Sequence, residues 1–379
     1  MYFVEKTKGI NAAKQFDYFL FISVLLLSIF GIIVLSSATL TFANPMKSMT
    51  TQVVSLVVGA VLAIIVSSID YKDFKVLGVI LYIISIALLV LVLFMGKGEN
   101  TWGSRSWLVV PVFGQFQPSE IAKITFVMTS SMFLERIVEG TNKVNNMIKF
   151  VLYAALPIGL ILLQPDTGTA IVFMVMLLAM VYVAGIPYKY IWISGGAFLA
   201  SLPIFWFFVL KKYQKDRILA YIFPQFDPKG GGYQVRASKW TIGSGQIFGK
   251  GLYEGIQTQN SMVPEKQTDF IFTVIGEELG FIGAVSVILV IFIILLRCLY
   301  IARNSRDPYG SFLVVGMSSM LAFHFIENIG MCIGLTPVTG IPLPFISLGG
   351  SSMVTNYIAI GIILSVSMRR KRTIFNNMQ

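Results

Sequence analysis

The run YFLFISVLLLSIFGIIVLSSA, residues 18–38, contains no charged side chain. A helix crossing a bilayer needs about 20 consecutive apolar residues, and a signal-peptide core has only about 7–15. The run therefore reads as a retained membrane helix. Nine comparable runs follow, near 51–68, 76–95, 118–135, 147–164, 168–186, 190–210, 270–297, 311–335 and 350–368. The expected fold class is an all-α polytopic membrane protein of about ten transmembrane helices, with residues 1–379 forming one transmembrane domain.

Composition agrees. The 379-residue chain is 56% hydrophobic and 12% charged, whereas soluble domains carry about 25% charged residues. The net charge of +11 is expected from basic residues kept on the cytoplasmic side. Nucleic-acid binding is excluded, because no basic domain stands outside the apolar segments. Cys298 and Cys332 show no metal or redox spacing. His324 is the single histidine, which rules out multi-histidine metal sites. Three residues from Glu327 on an apolar run, it reads as half of a helix-packing pair.

Charge sets the orientation. Lys6, Lys8, Lys14, Lys72, Lys75, Arg136, Lys143, Lys149, Lys189, Arg297, Arg303, Arg306, Arg369, Arg370, Lys371 and Arg372 fall on one side, against Lys47, Lys97 and Arg105 in the short loops of the other. Both termini are expected in the cytoplasm. One long loop, about 211–268, then lies outside. Its nine basic residues do not reverse the assignment, because long loops escape the rule.

The motifs lie on that outer face. GSGQIFGKG, 243–251, fails the ATP phosphate loop, since Ser244 and Gly251 stand where glycine and a hydroxyl are needed. Its glycines still offer N–H groups to a phosphate, with Lys250 adding charge. Glu120 and Lys123 share a helix face. Asp166, in QPDTGTA, suits a turn. Glu277 and Glu278 are adjacent and point to different faces. TPVTGIPLPFISLGGSS, 336–352, has three prolines and no charge. Non-helical backbone at membrane depth needs a cavity or protein around it, so Pro342, Pro344, Ser347, Gly349, Gly350 and Ser351 are candidate cavity-lining residues. In PEKQTDFIF, 264–272, Asp269 meets an apolar run; it is either a helix N-cap or a reactive group. A cavity carrying Arg105, Arg217, Lys250 and Lys123 beside Asp269 and Glu120 suits an anionic, lipid-linked substrate.

WLVVPVFGQFQPSEIAK (107–123), QPDTGTA (164–170), GGYQVRASKWTIGSGQIFGKG (231–251), PEKQTDFIFTVIGEELGFIG (264–283) and IENIGMCIGLTPVTGIPLPFISLGGSS (326–352) together resemble the SEDS family (shape, elongation, division and sporulation), in family order over nearly the whole chain. GIPLPFIS looks more like the rod-shape RodA branch than the division branch FtsW. The resemblance implies ten spans with both termini inside, the bacterial plasma membrane, and a peptidoglycan glycosyltransferase. That enzyme polymerises lipid II into undecaprenyl-linked glycan on the outer face, beside a class B penicillin-binding protein. It places the essential acid on Asp269 and sensitive charges on Arg105, Glu120, Lys123 and Arg217. Three positions depart from the family pattern. Gln267 replaces a histidine beside the acid, Ile256 replaces a threonine, and Leu348 replaces a tyrosine.

The implied chemistry fits these residues. An acceptor 4-hydroxyl displaces undecaprenyl pyrophosphate from an α-linked donor to give a β link, so one inverting step suffices. The hydroxyl needs a base, and pyrophosphate needs no proton, whereas a glycosidase needs two carboxylates. A helix N-terminus is expected to favour charged Asp269. The leaving group needs cations, here Arg105, Arg217, Lys123 and Lys250. Mg²⁺ or Mn²⁺ is the other means, although no carboxylate cluster marks a metal site and no cofactor is certain. The competing readings are a flippase for the lipid-linked precursor and a non-catalytic scaffold.

Overall fold

The computed structural model describes residues 15–98, 105–110, 114–141, 143–204, 206–207, 210, 212–223 and 230–370. Of the basic residues used to orient the chain, Lys6, Lys8, Lys14, Lys371 and Arg372 lie outside them. The described chain is a bundle of helices with one short hairpin. In order these are α1 (Tyr18–Ala38), α2 (Pro45–Ser68), α3 (Phe74–Met95), β1 (Leu108–Val110), β2 (Gly114–Phe116), α4 (Pro118–Val138), α5 (Lys143–Leu163), α6 (Thr167–Val183), α7 (Tyr188–Ile204), α8 (Lys212–Ile222), α9 (Gly231–Ser244), α10 (Ile256–Gln259), α11 (Ile271–Glu278), α12 (Gly280–Arg303), α13 (Pro308–Ile333) and α14 (Gly350–Met368). Strands β1 and β2 pair antiparallel, with Val109 opposite Gln115.

Local chemistry explains the ends. Asp17 starts α1 by accepting from Leu20 N at 3.1 Å. Asp307 starts α13 by accepting from Gly310 N at 2.9 Å, and Pro308 follows at the first helical position, where the missing N–H costs nothing. Gly334 ends α13 in the left-handed conformation at φ 76°. Asp166 takes its place as a cap on α6, accepting from Thr169 N at 3.1 Å.

Among the described residues, seven helices are long and apolar enough to cross a membrane: α1, α2, α3, most of α5, α12, α13 and α14. Helix α6 is apolar but 17 residues long. The membrane-crossing stretches of α13 and α14 are 72% and 78% buried, against 22% for α2 and 28% for α3. Helices α13 and α14 are thus central, while α2 and α3 turn Val53, Val57, Val61, Ile80 and Ile83 outward, as lipid contact requires. Helix α4 is central too, buried along nearly its whole length. Three of the basic residues assigned by charge to one face have acidic partners. Arg297 Nη2 lies 2.8 Å from Asp17 Oδ2, Lys75 Nζ 2.5 Å from Glu135 Oε2, and Arg369 Nε 3.3 Å from Asp70 Oδ2.

One boundary differs from the sequence reading. The span expected over 270–297 is two helices, α11 and α12, broken at Leu279–Gly280. Gly280 has φ 67°, and a Cβ there would sit 2.2 Å from Gly249 N. The 245–249 turn docks into the break, where Phe281 N donates to Gln246 O at 2.9 Å and Ile282 N to Ile247 O at 3.2 Å. The helix long enough to cross a membrane starts at Gly280, and 264–278 precedes it as a loop and the short helix α11. Gly280→Ala combines a disfavoured φ with a backbone clash, and is expected to cost more than about 1 kcal/mol. Thermal melting in detergent checks this against Gly243→Ala, where a Cβ meets nothing within 4 Å.

Candidate active site

Asp269 precedes α11 without capping it. The N-cap is Phe270, with no side-chain cap bond, and Thr268 Oγ1 turns back to Glu265 O at 3.3 Å. The backbone of the loop is fixed instead by buried polar side chains. Asn328 Nδ2, on α13, donates to Asp269 O and to Ile341 O, both at 2.8 Å. Ser347 Oγ donates to Thr268 O at 2.5 Å and accepts from Leu343 N at 2.8 Å. Gln52 on α2 is fully buried; its Nε2 donates to Ser347 O at 2.9 Å and its Oε1 accepts from Gly349 N at 3.2 Å. The proline-rich stretch is therefore non-helical, as expected, and wrapped around the Asp269 loop.

The carboxylate is partly withdrawn from solvent. Asp269 itself is half-buried. Gly340 stands beside the carboxylate, where a Cβ would sit 3.5 Å from Asp269 Oδ2, and its φ of 78° is one that glycine adopts freely. Burial first, then the Glu265 carboxylate, pushes Asp269 up to about 6, against the opposing pull of the Arg217 guanidinium and a Thr268 hydrogen bond. This corrects the expectation that the helix N-terminus would favour the charged form. The desolvation of a carboxylate outweighs a dipole effect, and Asp269 lies before the first turn.

A second group lies between α4 and α13. Lys123 Nζ is 2.8 Å from Glu120 Oε1 and 3.2 Å from His324 Nε2, so the pairing of Glu120 with Lys123 forms as expected. His324 does not pair with Glu327. Glu327 Oε1 accepts from Thr339 Oγ1 at 3.1 Å instead. His324 and Asn328 are one turn apart and so share a face of α13. That face touches the Lys123 ammonium at one level and the Asp269 carbonyl at the next.

A third group holds the outer loop. Glu277 Oε1 accepts from Lys250 Nζ at 2.8 Å and Gln257 N at 2.9 Å; Oε2 accepts from Thr258 N and Thr258 Oγ1, each at 2.8 Å. Glu278 faces the other way and takes Ser37 Oγ at 2.5 Å. Lys266 Nζ reaches Thr258 O and, at 3.1 Å, Thr41 Oγ1. Burial draws its ammonium below the ordinary lysine range, against the pull of Glu278 and Glu277.

Of the sequence candidates, the structure ties Ser347 to the Thr268 carbonyl beside Asp269, and Glu120 to Lys123. Arg217, half-buried on α8, acts on Asp269 electrostatically. Arg105 is exposed, and its N–H donates to Gln164 O at 3.3 Å. Ser351 Oγ meets Gln115 O at 3.3 Å. Pro342 is half-buried and Pro344 buried, while Gly349 and Gly350 enter α14. Lys250 is engaged by Glu277. Among the described residues, no group of three His, Cys, Asp or Glu side chains could hold a metal ion. Sequence reasoning missed Asn328 and Gln52. Asn328 was detectable, because an amide inside an apolar run must find partners.

These features place the chain. Residues 17–372 match the family of cell cycle proteins that groups FtsW, RodA and SpoVE. The chain belongs to that family. It is 35% identical to the peptidoglycan glycosyltransferase MrdB of Escherichia coli, over 83% of this chain and 84% of that one. It is 34% identical to a probable peptidoglycan glycosyltransferase FtsW of Trichlorobacter lovleyi, over 93% of each. The stage V sporulation protein E of Bacillus subtilis is 36% identical over 93% and 96%. The rod shape determining protein RodA of Thermus thermophilus superposes at a TM-score of 0.70, with 27% identity, over 94% of this chain and 98% of that one. A chain of a peptidoglycan synthase complex, solved to explain how polymerization and crosslinking are coordinated, superposes at 0.78 with 29% identity, over 93% and 97%.

Glu277→Ala leaves the Lys250 charge and two backbone N–H groups without their acceptor. It is expected to cost about 3–5 kcal/mol, read as a lower melting temperature and faster proteolysis within 245–260.

Proposed function

We propose that this multi-pass bacterial membrane protein is a peptidoglycan glycosyltransferase that polymerises lipid II on the outer face of the plasma membrane, with Asp269 as general base. The observation that carries the reading is the state of Asp269. Its backbone is pinned, its carboxylate caps nothing, it is only half-buried, and its pKa near 6 is set by burial and Glu265. A base works best with a pKa near the operating pH. At pH 7 and above this carboxylate is ionised, yet basic enough to take a hydroxyl proton.

In the step, the acceptor 4-hydroxyl attacks the anomeric carbon of the donor, and its proton passes to Asp269. The bond from that carbon to the pyrophosphate oxygen breaks, and undecaprenyl pyrophosphate leaves with the electron pair. Lys123, Arg217 and Arg105 neutralise the leaving charge. Lys250 stands at the edge of this set, since its ammonium is shared with Glu277. A divalent ion would find hard oxygens on Asp269, Glu265 and the pyrophosphate.

The ten-span, both-ends-inside topology belongs to this proposal. The seven clear spans, α4, α6 and α7 make up the count, and the inner-face ion pairs agree with the charge bias. So does one domain over 1–379 with an outer loop at 211–268. The partner is a class B penicillin-binding protein, as befits a chain similar to one from a synthase complex. Elongation rests on Gly340-Ile341-Pro342-Leu343-Pro344 alone, because relatives named for different branches match at 34–36%.

The test is polymerisation of labelled lipid II by the purified protein with a transpeptidase-dead partner. Asp269→Asn should make no strands and still melt at or above the wild-type temperature at pH 7.5, because it removes a carboxylate whose charging burial opposes. Equal polymerisation by both would end the base assignment. Transfer of lipid II across vesicles without strand formation would favour a flippase, and unchanged cell-wall function with Asp269→Ala a scaffold.

A further inference from the structure

We propose that His324 is a positioning residue that aims the Lys123 ammonium at the pyrophosphate of the leaving group. The inference rests on the reading of Lys123 as a leaving-group cation.

Lys123 and His324 are 2% and 5% exposed, and Glu120 6%. An ammonium has three donors and no acceptor. Two are used, one on Glu120 Oε1 at 2.8 Å and one on His324 Nε2 at 3.2 Å. Among the described residues no third acceptor lies in reach of Lys123 Nζ. With two N–H bonds fixed by acceptors on different helices, the ammonium cannot spin, and its third N–H has one direction.

Glutamate alone would not do this. A single ion-pair partner leaves the ammonium free to rotate about the Cε–Nζ bond. A second carboxylate would fix it but would repel a pyrophosphate. A neutral imidazole fixes it without adding negative charge. Facing an ammonium, Nε2 must be the unprotonated nitrogen, so the ring proton is assigned to Nδ1. The Met320 carbonyl, one turn back on α13, faces the ring, but Glu120 Oε2 has no hydrogen-bond partner. The group is thus not a closed structural network, in which every buried polar atom would be matched. The same face of α13 holds the Asp269 carbonyl through Asn328 at 2.8 Å. One helix therefore sets the ammonium and the base loop together.

Undecaprenyl pyrophosphate is the leaving group, so its inhibition of strand synthesis reads the contact directly. The full-length protein with its transpeptidase-dead partner is assayed as wild type, His324→Leu, His324→Gln and Lys123→Met. His324→Leu should weaken inhibition by undecaprenyl pyrophosphate roughly tenfold, the loss of one charge-assisted bond, and lower kcat/KM for lipid II to a similar extent. His324→Gln returns a neutral acceptor and should restore most of both. If His324→Leu melts early, His324→Asn, polar but too short to reach Lys123, takes its place with the same expectation. Wild-type inhibition in His324→Leu or His324→Asn, with loss in Lys123→Met, would overturn the proposal. So would a fall in kcat alone that glutamine does not rescue. Wild-type inhibition in Lys123→Met would instead refute the assignment of Lys123 itself, and the proposal with it.

Discussion

Asn328 holds two backbone carbonyls with one amide. Its Nδ2 ties Asp269 O, in the loop before α11, to Ile341 O, in the proline-rich stretch. Those two segments are far apart in sequence and have no regular secondary structure to pair them. Unpaired buried backbone carbonyls are costly, and an apolar side chain at 328 would leave Asp269 O only the weak Cys332 thiol donor at 3.7 Å. The helix that carries Asn328 is among the most buried in the bundle, so the site inherits the rigidity of the core.

Burial explains both the order of the site and its chemistry. The proline-rich stretch cannot satisfy its own backbone, and Gln52, Ser347 and Asn328 do so from α2, from within the stretch and from α13. The same exclusion of water raises Asp269 toward neutrality and makes the cations around it count for more than they would in solvent. The Glu277 cluster serves a different end. It packs the 245–258 loop on α11, but the described contacts do not bring it to Asp269.

Hydropathy made the membrane bundle legible, because a run such as 18–38 has one solution in a bilayer. Charge counting grouped basic residues on one face, and two of them, Arg297 and Arg369, are paired with Asp17 and Asp70. The break at Leu279–Gly280 was not legible, because Phe270 to Leu295 is uncharged apart from Glu277 and Glu278 and predominantly apolar. Only the docked turn at Gly245 and Gly249 shows why it parts. Asp269 was singled out from its position beside that run, whereas its pKa direction was misjudged, since burial is a tertiary fact. His324 was assigned to Glu327 by spacing on one helix, when its partner Lys123 stands on another. Pairings across helices are what periodicity cannot supply.

The central claim is that Asp269 titrates near pH 6 and must be ionised for glycan synthesis. Strand synthesis by the complex should therefore be followed against pH between 5 and 8. Wild type should lose rate as pH falls through about 6. In Glu265→Gln the acid limb should move to lower pH, because the Glu265 carboxylate is part of what holds the proton on. A rate that stays flat down to pH 5, or an acid limb that does not move in Glu265→Gln, would contradict the assignment.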